Sequence, residues 1–328
     1  MQLIKTPTKG MNDYLPRETR LREYVKGVII RAYEKNGFSM IETPAVEHIE
    51  NLTGKNGGDN EKLIFKIMKR GEKLNEAAGN DAELCDSGLR YDLTVPLSRY
   101  YANNQAKLPS PFMAMQIGNV WRADRPQKGR FRQFTQCDID ILGDSTQLAE
   151  ITLISATTGV LRELGFDNFT VRINDRRLLK VCADYCGFKP EDCDKVFITL
   201  DKMDKIGLDG VKRELVEEGF DEASVEKYVA LYENCDAVSV SEFAADRLGG
   251  NGADIAASLE SIMRCATAAT AGGCSLKFDP TLVRGMSYYT GTIFEISMDG
   301  YGYSVGGGGR YDEMLAKFSG QKTPACGF

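Results

Sequence analysis

The chain has 328 residues, of which 42% are hydrophobic and 27% are charged, an ordinary composition for a soluble globular protein of about two domains. A net charge of -6 and a pI near 5.2 argue against a general nucleic-acid coating protein, but not against a local basic site. The sequence contains no long apolar run and no apolar signal-peptide core at its start, which predicts a cytoplasmic protein without a membrane partner.

Cysteine and histidine usage restricts the chemistry further. Nine cysteines are scattered along the chain without the density of a disulfide scaffold, so we expect them to be reduced. Cys182, Cys186 and Cys193 have no second pair at zinc-ribbon spacing, which favours buried thiols over a metal site. The single histidine, His48, has no nucleophile near it in sequence and is interpreted as structural, so Ser-His-Asp and Cys-His mechanisms are disfavoured.

The first third of the chain predicts one long helix followed by short strands. Apolar residues recur at helical spacing from Arg17 to Asn36, and Asn36-Gly37 is a normal helix end. A strand at 38–41 is then stopped near Pro44, because proline cannot donate to a ladder. The next elements are predicted to be a strand at 63–68, a polar hairpin around 71–79, a strand at 89–97 (LRYDLTVPL) and a helix starting at 98–103.

The middle of the chain predicts two long strands joined by a loop. Residues 113–122 (MAMQIGNVWR) and 131–142 both have strand character, and the segment between them, ADRPQKGR, is rich in turn formers. A short connection of this kind makes an antiparallel hairpin. A helix at 145–164 and a strand at 169–173 follow.

The composition changes after residue 175. Residues 176–272 are rich in Asp, Glu, Lys, Ala and Leu at helical spacing, and a β pattern returns at 273–328. We therefore predict an α+β fold, an antiparallel sheet flanked by helices, made of 1–175 and 273–328 and interrupted by a helical insertion at 176–272. Alternating βαβ units are not seen, so a doubly wound parallel fold is disfavoured.

The strand RFRQFTQCDIDIL has an unusual polar face. Alternation along a strand separates two sets of side chains, Cys137, Ile139 and Ile141 on one face and Gln136, Asp138 and Asp140 on the other. The first set suits a core. The second places like charges next to one another, which stabilises no sheet and calls for a functional explanation.

Other polar or glycine-rich positions lie on the predicted sheet. They are Asp92, Thr94, Arg122, Arg284, Tyr288, Tyr289 and the run Gly306 to Gly309. Aromatic rings, an amide, short carboxylates and isolated arginines suit a pocket for a small zwitterion beside a phosphate, although a solvated sheet face is an equal alternative from the residues alone. The glycines permit close approach of either a ligand or a neighbouring strand.

Several motifs in order resemble the histidyl-tRNA synthetase family of class II aminoacyl-tRNA synthetases. The motifs are KGMNDYLP, GFSMIETP, LRYDLTVPL, RPQKGRFRQFTQ, LVRGMSYYTGTIFE and GGRYDEM, and they span the chain outside 176–272. The resemblance implies the class II catalytic fold. It also implies a homodimer, since the first class II motif, around Pro44, forms much of the family's dimer interface.

The resemblance assigns a role to each polar position. It implies that Arg122 and Arg284 are catalytic residues contacting the α-phosphate of ATP. Fixed guanidinium groups there would stabilise the charge that builds on the phosphate oxygens. The resemblance also implies that Arg130 and Arg132 lie where the family's motif loop and strand meet the nucleotide or the acceptor end of the tRNA. The histidine-binding residues implied are Asp92, Thr94 and Gln136 for the ammonium group, Asp140 and Tyr289 for the imidazole, and Tyr288 in support. Asp138 receives no role.

The implied reaction has two steps. Histidine and ATP, with Mg2+ on the phosphates, give histidyl-adenylate and pyrophosphate, and the histidyl group then passes to the terminal ribose of tRNA(His). The helical insertion resembles the family's module that meets the acceptor arm. Ser287 replaces an aspartate common in the family and is taken as a subfamily variation.

The chain ends at KTPACGF, where the family's third class II motif begins. We therefore expect a truncated catalytic core without that motif or the anticodon-binding domain, with weakened ATP binding and lost tRNA selection. An alternative is the synthetase-like regulatory subunit of ATP phosphoribosyltransferase, which senses histidine without charging tRNA. The presence together of Arg122, Arg284, Gln136, Asp140 and Tyr289 favours the synthetase, and a purely structural scaffold leaves the polar strand face unexplained.

Overall fold

The computed structural model describes residues 3–53, 62–77, 79–80, 83–235, 238–284 and 288–328. Its helices are α1 (Pro16–Lys35), α2 (Ile49–Leu52), α3 (Glu72–Glu76), α4 (Thr94–Asn104), α5 (Leu148–Glu163), α6 (Arg176–Cys186), α7 (Cys193–Leu200), α8 (Met203–Glu217), α9 (Glu222–Tyr232), α10 (Val240–Glu242), α11 (Ala253–Ala269) and α12 (Ala316–Ser319). Its strands are β1 (Ser39–Met40), β2 (Val46–His48), β3 (Lys66–Met68), β4 (Cys85–Leu89), β5 (Phe112–Trp121), β6 (Gln133–Leu142), β7 (Phe169–Asp175), β8 (Ser275–Phe278), β9 (Thr292–Met298), β10 (Tyr301–Arg310) and β11 (Ala325–Gly327).

The chain divides into two compact units. Unit 1 comprises Met1–Ile139 and Leu315–Gln321, and unit 2 comprises Asp140–Met314 and Lys322–Phe328. Strand β6 belongs to unit 1 up to Ile139 and to unit 2 from Asp140 onward. The predicted boundaries at 175 and 272 follow the composition of the sequence, and their status as domain limits stays a prediction.

Unit 1 contains the long helix and the two central strands that the sequence predicted. Helix α1 starts with Pro16, whose missing N–H costs nothing in the first turn, and is followed by Asn36 and the left-handed Gly37. Strand β5 pairs with β1 in parallel and is also a neighbour of β6, while β4 pairs antiparallel with both β2 and β3 in a second, three-stranded sheet. Ala114, Met115 and Val120 are fully buried and form part of the core.

The predicted strand over 89–97 is wrong. Strand β4 ends at Leu89 and helix α4 begins at Thr94, so Asp92 lies in the connection and Thr94 opens the helix. The Asp92 carboxylate accepts from the Val95 N–H at 3.1 Å, which satisfies a free donor of the first turn. Pro96 lies in that same turn, where proline is compatible with a helix and does not mark the end of a strand.

The region around 71–79, predicted to be a polar hairpin, does connect two antiparallel strands, β3 and β4, but its connection contains a short helix that was not predicted. Glu72–Glu76 form the short helix α3, which begins after Gly71 in a positive-φ conformation. Lys, Leu and Glu are good helix formers, and this local preference decides the segment. Residues 53–60 (TGKNGGDN) contain a lysine and glycines but lack the Gly-Lys-Ser or Gly-Lys-Thr ending of a P-loop, and this segment lies almost wholly outside the described residues.

Unit 2 is built on a mostly antiparallel set of strands. Residues Asp140–Leu142 of β6 pair with β11, and the order continues through β10 and β9 to β7, with every one of these pairs antiparallel. Strand β8 then pairs with β7 in parallel. The expected antiparallel sheet flanked by helices is thus confirmed, with parallel pairs at β1–β5 in unit 1 and at β7–β8 in unit 2.

The residues between β7 and β8 are helical, as the composition predicted. Helices α6 to α11 lie there, and no strand interrupts them in the described residues of 176–272. Cys182, Cys186 and Cys193 are buried free thiols, and burial raises the pKa of Cys182 to about 12. Across the part of the chain that the structure describes, none of the helices has the length and apolarity needed to cross a membrane.

Candidate functional site

In unit 1, Arg122 is fixed immediately after the end of β5. Its Nε donates to the Tyr91 carbonyl oxygen at 3.0 Å, and its Nη2 donates to Gln136 Oε1 at 3.2 Å. The guanidinium also lies over the Phe134 ring, with its carbon 5.1 Å from the ring centroid. Contacts on three sides orient this cation before any ligand arrives.

Asp92 presents a buried carboxylate beside this arginine. The side chain is almost completely buried, and burial raises its pKa to about 6 against the opposing effects of the Val95 N–H and the Arg122 charge. One oxygen accepts from Val95, whereas Oδ2 is buried without a hydrogen-bond partner among the described residues. Thr94, also buried, follows two residues later. A buried acceptor of this kind can receive a cationic donor.

The polar face of β6 continues this group. The Gln136 Nε2 donates to Asp138 Oδ2 at 2.9 Å and to Oδ1 at 3.1 Å. Removal from water raises the pKa of Asp138 to about 7, with Gln136 opposing the shift and the nearby Asp92 charge adding to it. Asp92, Thr94, Arg122 and Gln136, all predicted from the sequence, therefore belong to one polar group in unit 1.

The basic loop between β5 and β6 has a different character. Arg132 is anchored, because its Nε donates to the Asp124 carbonyl oxygen at 2.9 Å and its backbone N–H donates to that of Gly10 at 2.7 Å. Arg130 has a side chain 55% exposed and approaches only the Asp124 carboxylate, at 4.0 Å, among its described ion pairs. It is not held in the polar group around Arg122 and is available at the surface.

In unit 2, the Asp140 carboxylate accepts a hydrogen bond from Tyr311, a residue to which the sequence analysis gave no role. The Tyr311 hydroxyl donates to Asp140 Oδ1 at 2.6 Å, and both side chains are buried. The Tyr288 ring lies between two others, with centroids 4.8 Å from Tyr289 and 5.9 Å from Tyr311. The signal for Tyr311 lies in GGRYDEM, a motif that carries the family resemblance but from which no role for this tyrosine is inferred.

Arg310 fixes the end of β10 next to Tyr311. Its guanidinium makes two hydrogen bonds of 2.7 Å to the carboxylate of Glu150, which is buried on α5. It also donates to the carbonyl oxygens of Asp144 and Thr146. A bidentate, fully paired arginine of this type is a structural anchor, and it holds the backbone from which Tyr311 projects.

Arg284, the second predicted catalytic arginine, has one anchored edge. Its Nη1 donates to Glu295 Oε2 on β9 at 2.6 Å, and Glu295 Oε1 lies 3.5 Å from Arg172. The Nε of Arg284 is buried without a hydrogen-bond partner among the described residues. The carboxylate therefore holds one end of the guanidinium and leaves donors for an anion.

The glycine run explains how Arg284 fits. A Cβ at Gly307 would lie 2.6 Å from the guanidinium carbon of Arg284, so the guanidinium rests against a bare backbone. A Cβ at Gly308 would collide with the carbonyl oxygen of Gly327 on β11, and one at Gly327 would collide with the Asp140 carboxylate. The close approach predicted for this run is thus made by a neighbouring strand and by a side chain of the protein itself.

Comparison with known proteins identifies the family. The family model for histidyl-tRNA synthetase matches residues 10–328. The chain belongs to the histidyl-tRNA synthetase family. It is 48% identical to a histidine--tRNA ligase from Leifsonia xyli subsp. xyli over 98% of this chain and 77% of that protein, and 42% identical to a probable histidine--tRNA ligase from Tropheryma whipplei over the same shares.

Solved structures of similar proteins have the same fold as this chain. A histidyl-tRNA synthetase from Nostoc superposes with a TM-score of 0.81 at 27% identity, over 99% of this chain and 73% of that one. An ATP phosphoribosyltransferase regulatory subunit/histidyl-tRNA synthetase from Bacillus halodurans gives 0.80 at 22% identity, over 100% of this chain and 81% of that one, which indicates the fold alone. The expected class II synthetase fold is confirmed.

Proposed function

We propose that the protein is a histidine--tRNA ligase that activates histidine with ATP and transfers the histidyl group to tRNA(His). Membership of the family supports this activity. The structural observation that carries it is the pre-oriented Arg122 beside a buried oxygen of Asp92 that has no hydrogen-bond partner among the described residues. A fixed cation next to a free buried acceptor suits a ligand with both an anionic phosphate and a cationic ammonium group.

In unit 1 we assign the ammonium and phosphate contacts. Asp92 Oδ2 and the Gln136 amide oxygen accept from the histidine ammonium group, with Thr94 beside them. Arg122 binds the α-phosphate of ATP, where the histidine carboxylate forms a new bond to phosphorus as the bond to the leaving pyrophosphate breaks. Because Arg122 is already held by Tyr91 and Gln136, it stabilises the developing charge without reorganising.

In unit 2 we assign recognition of the imidazole and a second phosphate contact. Asp140 accepts from an imidazole N–H, and Tyr289, with Tyr288 in support, meets the rest of the ring. Tyr311 joins this set because its hydroxyl already orients the Asp140 carboxylate. Arg284, held by Glu295, supplies another guanidinium to the phosphate.

The remaining assignments follow from the family. ATP is the energy source, and Mg2+ would arrive on its phosphates, as is usual for this ion in nucleotide-binding enzymes. The exposed Arg130 meets nucleotide or the tRNA end. A cytoplasmic homodimer is part of the proposal, supported by the apolar side chains of Leu21 and Tyr24, each 63% exposed on α1.

Histidine-dependent exchange of labelled pyrophosphate into ATP tests the activation step. We expect exchange with the wild type and a loss of roughly 10²- to 10³-fold in Arg122→Ala, the usual cost of removing one preorganised charge-stabilising group. Arg213→Ala, which removes an exposed arginine on α8, is the matched control and should exchange normally.

Two results would contradict the proposal. Exchange that does not require histidine would indicate another substrate. Histidine binding without any exchange would instead favour a sensor, as in the regulatory-subunit alternative. A charging assay with tRNA(His) tests the second step.

A further inference from the structure

Asp138 is the one carboxylate on the polar face of β6 to which no role has been assigned. It is half-buried, and both of its oxygens accept from the same donor, Gln136 Nε2, at 2.9 and 3.1 Å. Asp138 lies two residues before Asp140, and its only described hydrogen bonds are to this one amide. These contacts do not explain how the carboxylate would stabilise the sheet.

The Gln136 amide meets chemically opposite neighbours at its two ends. Its oxygen accepts from Arg122 Nη2, and its nitrogen donates to Asp138. A guanidinium can only donate and an ionised carboxylate can only accept. If the amide were reversed, donor would face donor and acceptor would face acceptor, so Arg122 and Asp138 together enforce one orientation.

We propose that Asp138 is a positioning residue that locks the Gln136 amide with its oxygen turned toward Arg122 and the ammonium group of bound histidine. The inference rests on the proposed function, in which Gln136 accepts from that ammonium group. A reversed amide would present N–H groups to a cation and would repel it. Asp138 thus acts on histidine affinity through Gln136, without touching the substrate.

The charges around Asp138 make this lock depend on pH. Gln136 faces it from its own strand, Asp92 from the connection before α4, Arg122 from the end of β5, and Arg90 from the residue after β4. With a pKa of about 7, the carboxyl gains a proton near neutrality. A protonated Asp138 can donate to the amide oxygen, which makes the reversed orientation accessible and weakens histidine binding at low pH.

Steady-state pyrophosphate exchange from pH 6 to 8.5 tests the lock, with KM for histidine and for ATP measured separately. In Asp138→Ala we expect the histidine KM at pH 8 to rise roughly tenfold, the effect of losing one charge-assisted hydrogen bond, and the ATP KM to change much less. Asp138→Asn keeps the shape and one acceptor, so its histidine KM should rise less.

Comparing the pH profiles of the variants separates the titration of Asp138 from the titration of the substrate histidine. Histidine itself titrates in this range, but it does so equally with every variant. Asp138→Asn should therefore lose only the part of the pH dependence that comes from Asp138, whereas Glu34→Gln, which removes an exposed carboxylate on α1, should keep the full profile. A profile for Asp138→Asn that superimposes on the wild type would overturn the proposal.

A double-mutant cycle shows whether Asp138 acts through Gln136. Asp138→Ala should raise the histidine KM in the wild type and have no further effect in a Gln136→Ala background. An equal effect in both backgrounds, or none in the wild type, would refute the mechanism. Calorimetric titration of each variant with histidine alone, after thermal unfolding has shown that each is folded, measures the same coupling independently of adenylation, so failure of the proposed ligase activity would be recognised separately.

Discussion

The polar groups of the two units differ in how completely their charges are paired. In unit 2, Arg310 and Glu150 satisfy each other at both ends, and this pairing raises the pKa of Arg310 above its ordinary value even though burial lowers it. In unit 1, Asp92 has a buried oxygen without a described partner, and burial raises the pKa values of Asp92 and Asp138 to about 6 and about 7.

This difference separates structure from function. A satisfied buried pair stabilises the fold only as long as both members are present. A buried carboxylate with a free acceptor destabilises the empty protein and becomes favourable when a cation binds. The Arg310 pair is therefore a fixed support, and the Asp92 group is prepared for a ligand.

The largest effect should come from breaking the support. Arg310→Met leaves Glu150 buried without its partner, so the free energy of unfolding should fall by about 3–5 kcal/mol. Urea denaturation measures this loss. The double variant Arg310→Met with Glu150→Gln removes the stranded charge and should recover part of the stability. A double variant no more stable than Arg310→Met alone would show that the charge is not the cause.

Gly307→Ala should lower the activity while leaving the Arg310–Glu150 pair intact. The added Cβ would lie 2.6 Å from the Arg284 guanidinium carbon, and the flexible end of that side chain would move to avoid it. We expect kcat for pyrophosphate exchange to fall by roughly 10- to 100-fold, because small displacements of a catalytic group are costly. Stability should change little.

Gly302→Ala is the matched control on the same strand. A Cβ at Gly302 would meet no atom within 4 Å, so this variant should retain full activity. Equal losses of activity in the two variants would mean that β10 tolerates no added side chain at its glycines, and that the contact with Arg284 is not responsible.

A smaller effect on stability should come from the Asp138 carboxyl in unit 1. The folded-state pKa of Asp138 lies above its unfolded value near 4, so the folded protein holds the proton more tightly and loses stability as pH rises from about 4 through 7. Asp138→Asn removes this contribution. Its unfolding free energy relative to the wild type should thus increase by about 2–3 kcal/mol between pH 5 and 8.5. A difference independent of pH would contradict the assignment.

The sequence predicted most elements of the fold because their periodicity was strong. Helix α1, the long strands β5 and β6 and the helical residues after 175 all followed from spacing and composition. The error at 89–97 arose where local signals conflicted. Pro96 resembles the end of a strand in sequence, but a buried Asp92 capping the next turn makes the segment a helix start, and that contact depends on tertiary structure.

The site was predicted less completely, for a related reason. Residue types and motifs predicted Asp92, Arg122, Gln136, Asp140 and Arg284, whose roles stay predictions, but they did not predict partners such as Glu295 and Tyr311. Glu295 and Tyr311 come next to Arg284 and Asp140 only through pairing of distant strands and loops, with sequence separations of 11 and 171 residues. No spacing rule contains such contacts, although each partner lay inside a motif that had been noted.

Gly327 has a consequence for efforts to change the amino acid that such an enzyme accepts. A Cβ at Gly327 would collide with the Asp140 carboxylate and would lie 3.3 Å from the Tyr311 ring, so the absence of a side chain at Gly327 leaves the room that the Asp140 carboxylate occupies. A library that varies only Asp140 and the tyrosines would leave the adjacent backbone of β11 unchanged. Gly327 should therefore be kept in any redesign of the proposed pocket that leaves the Asp140 carboxylate in place.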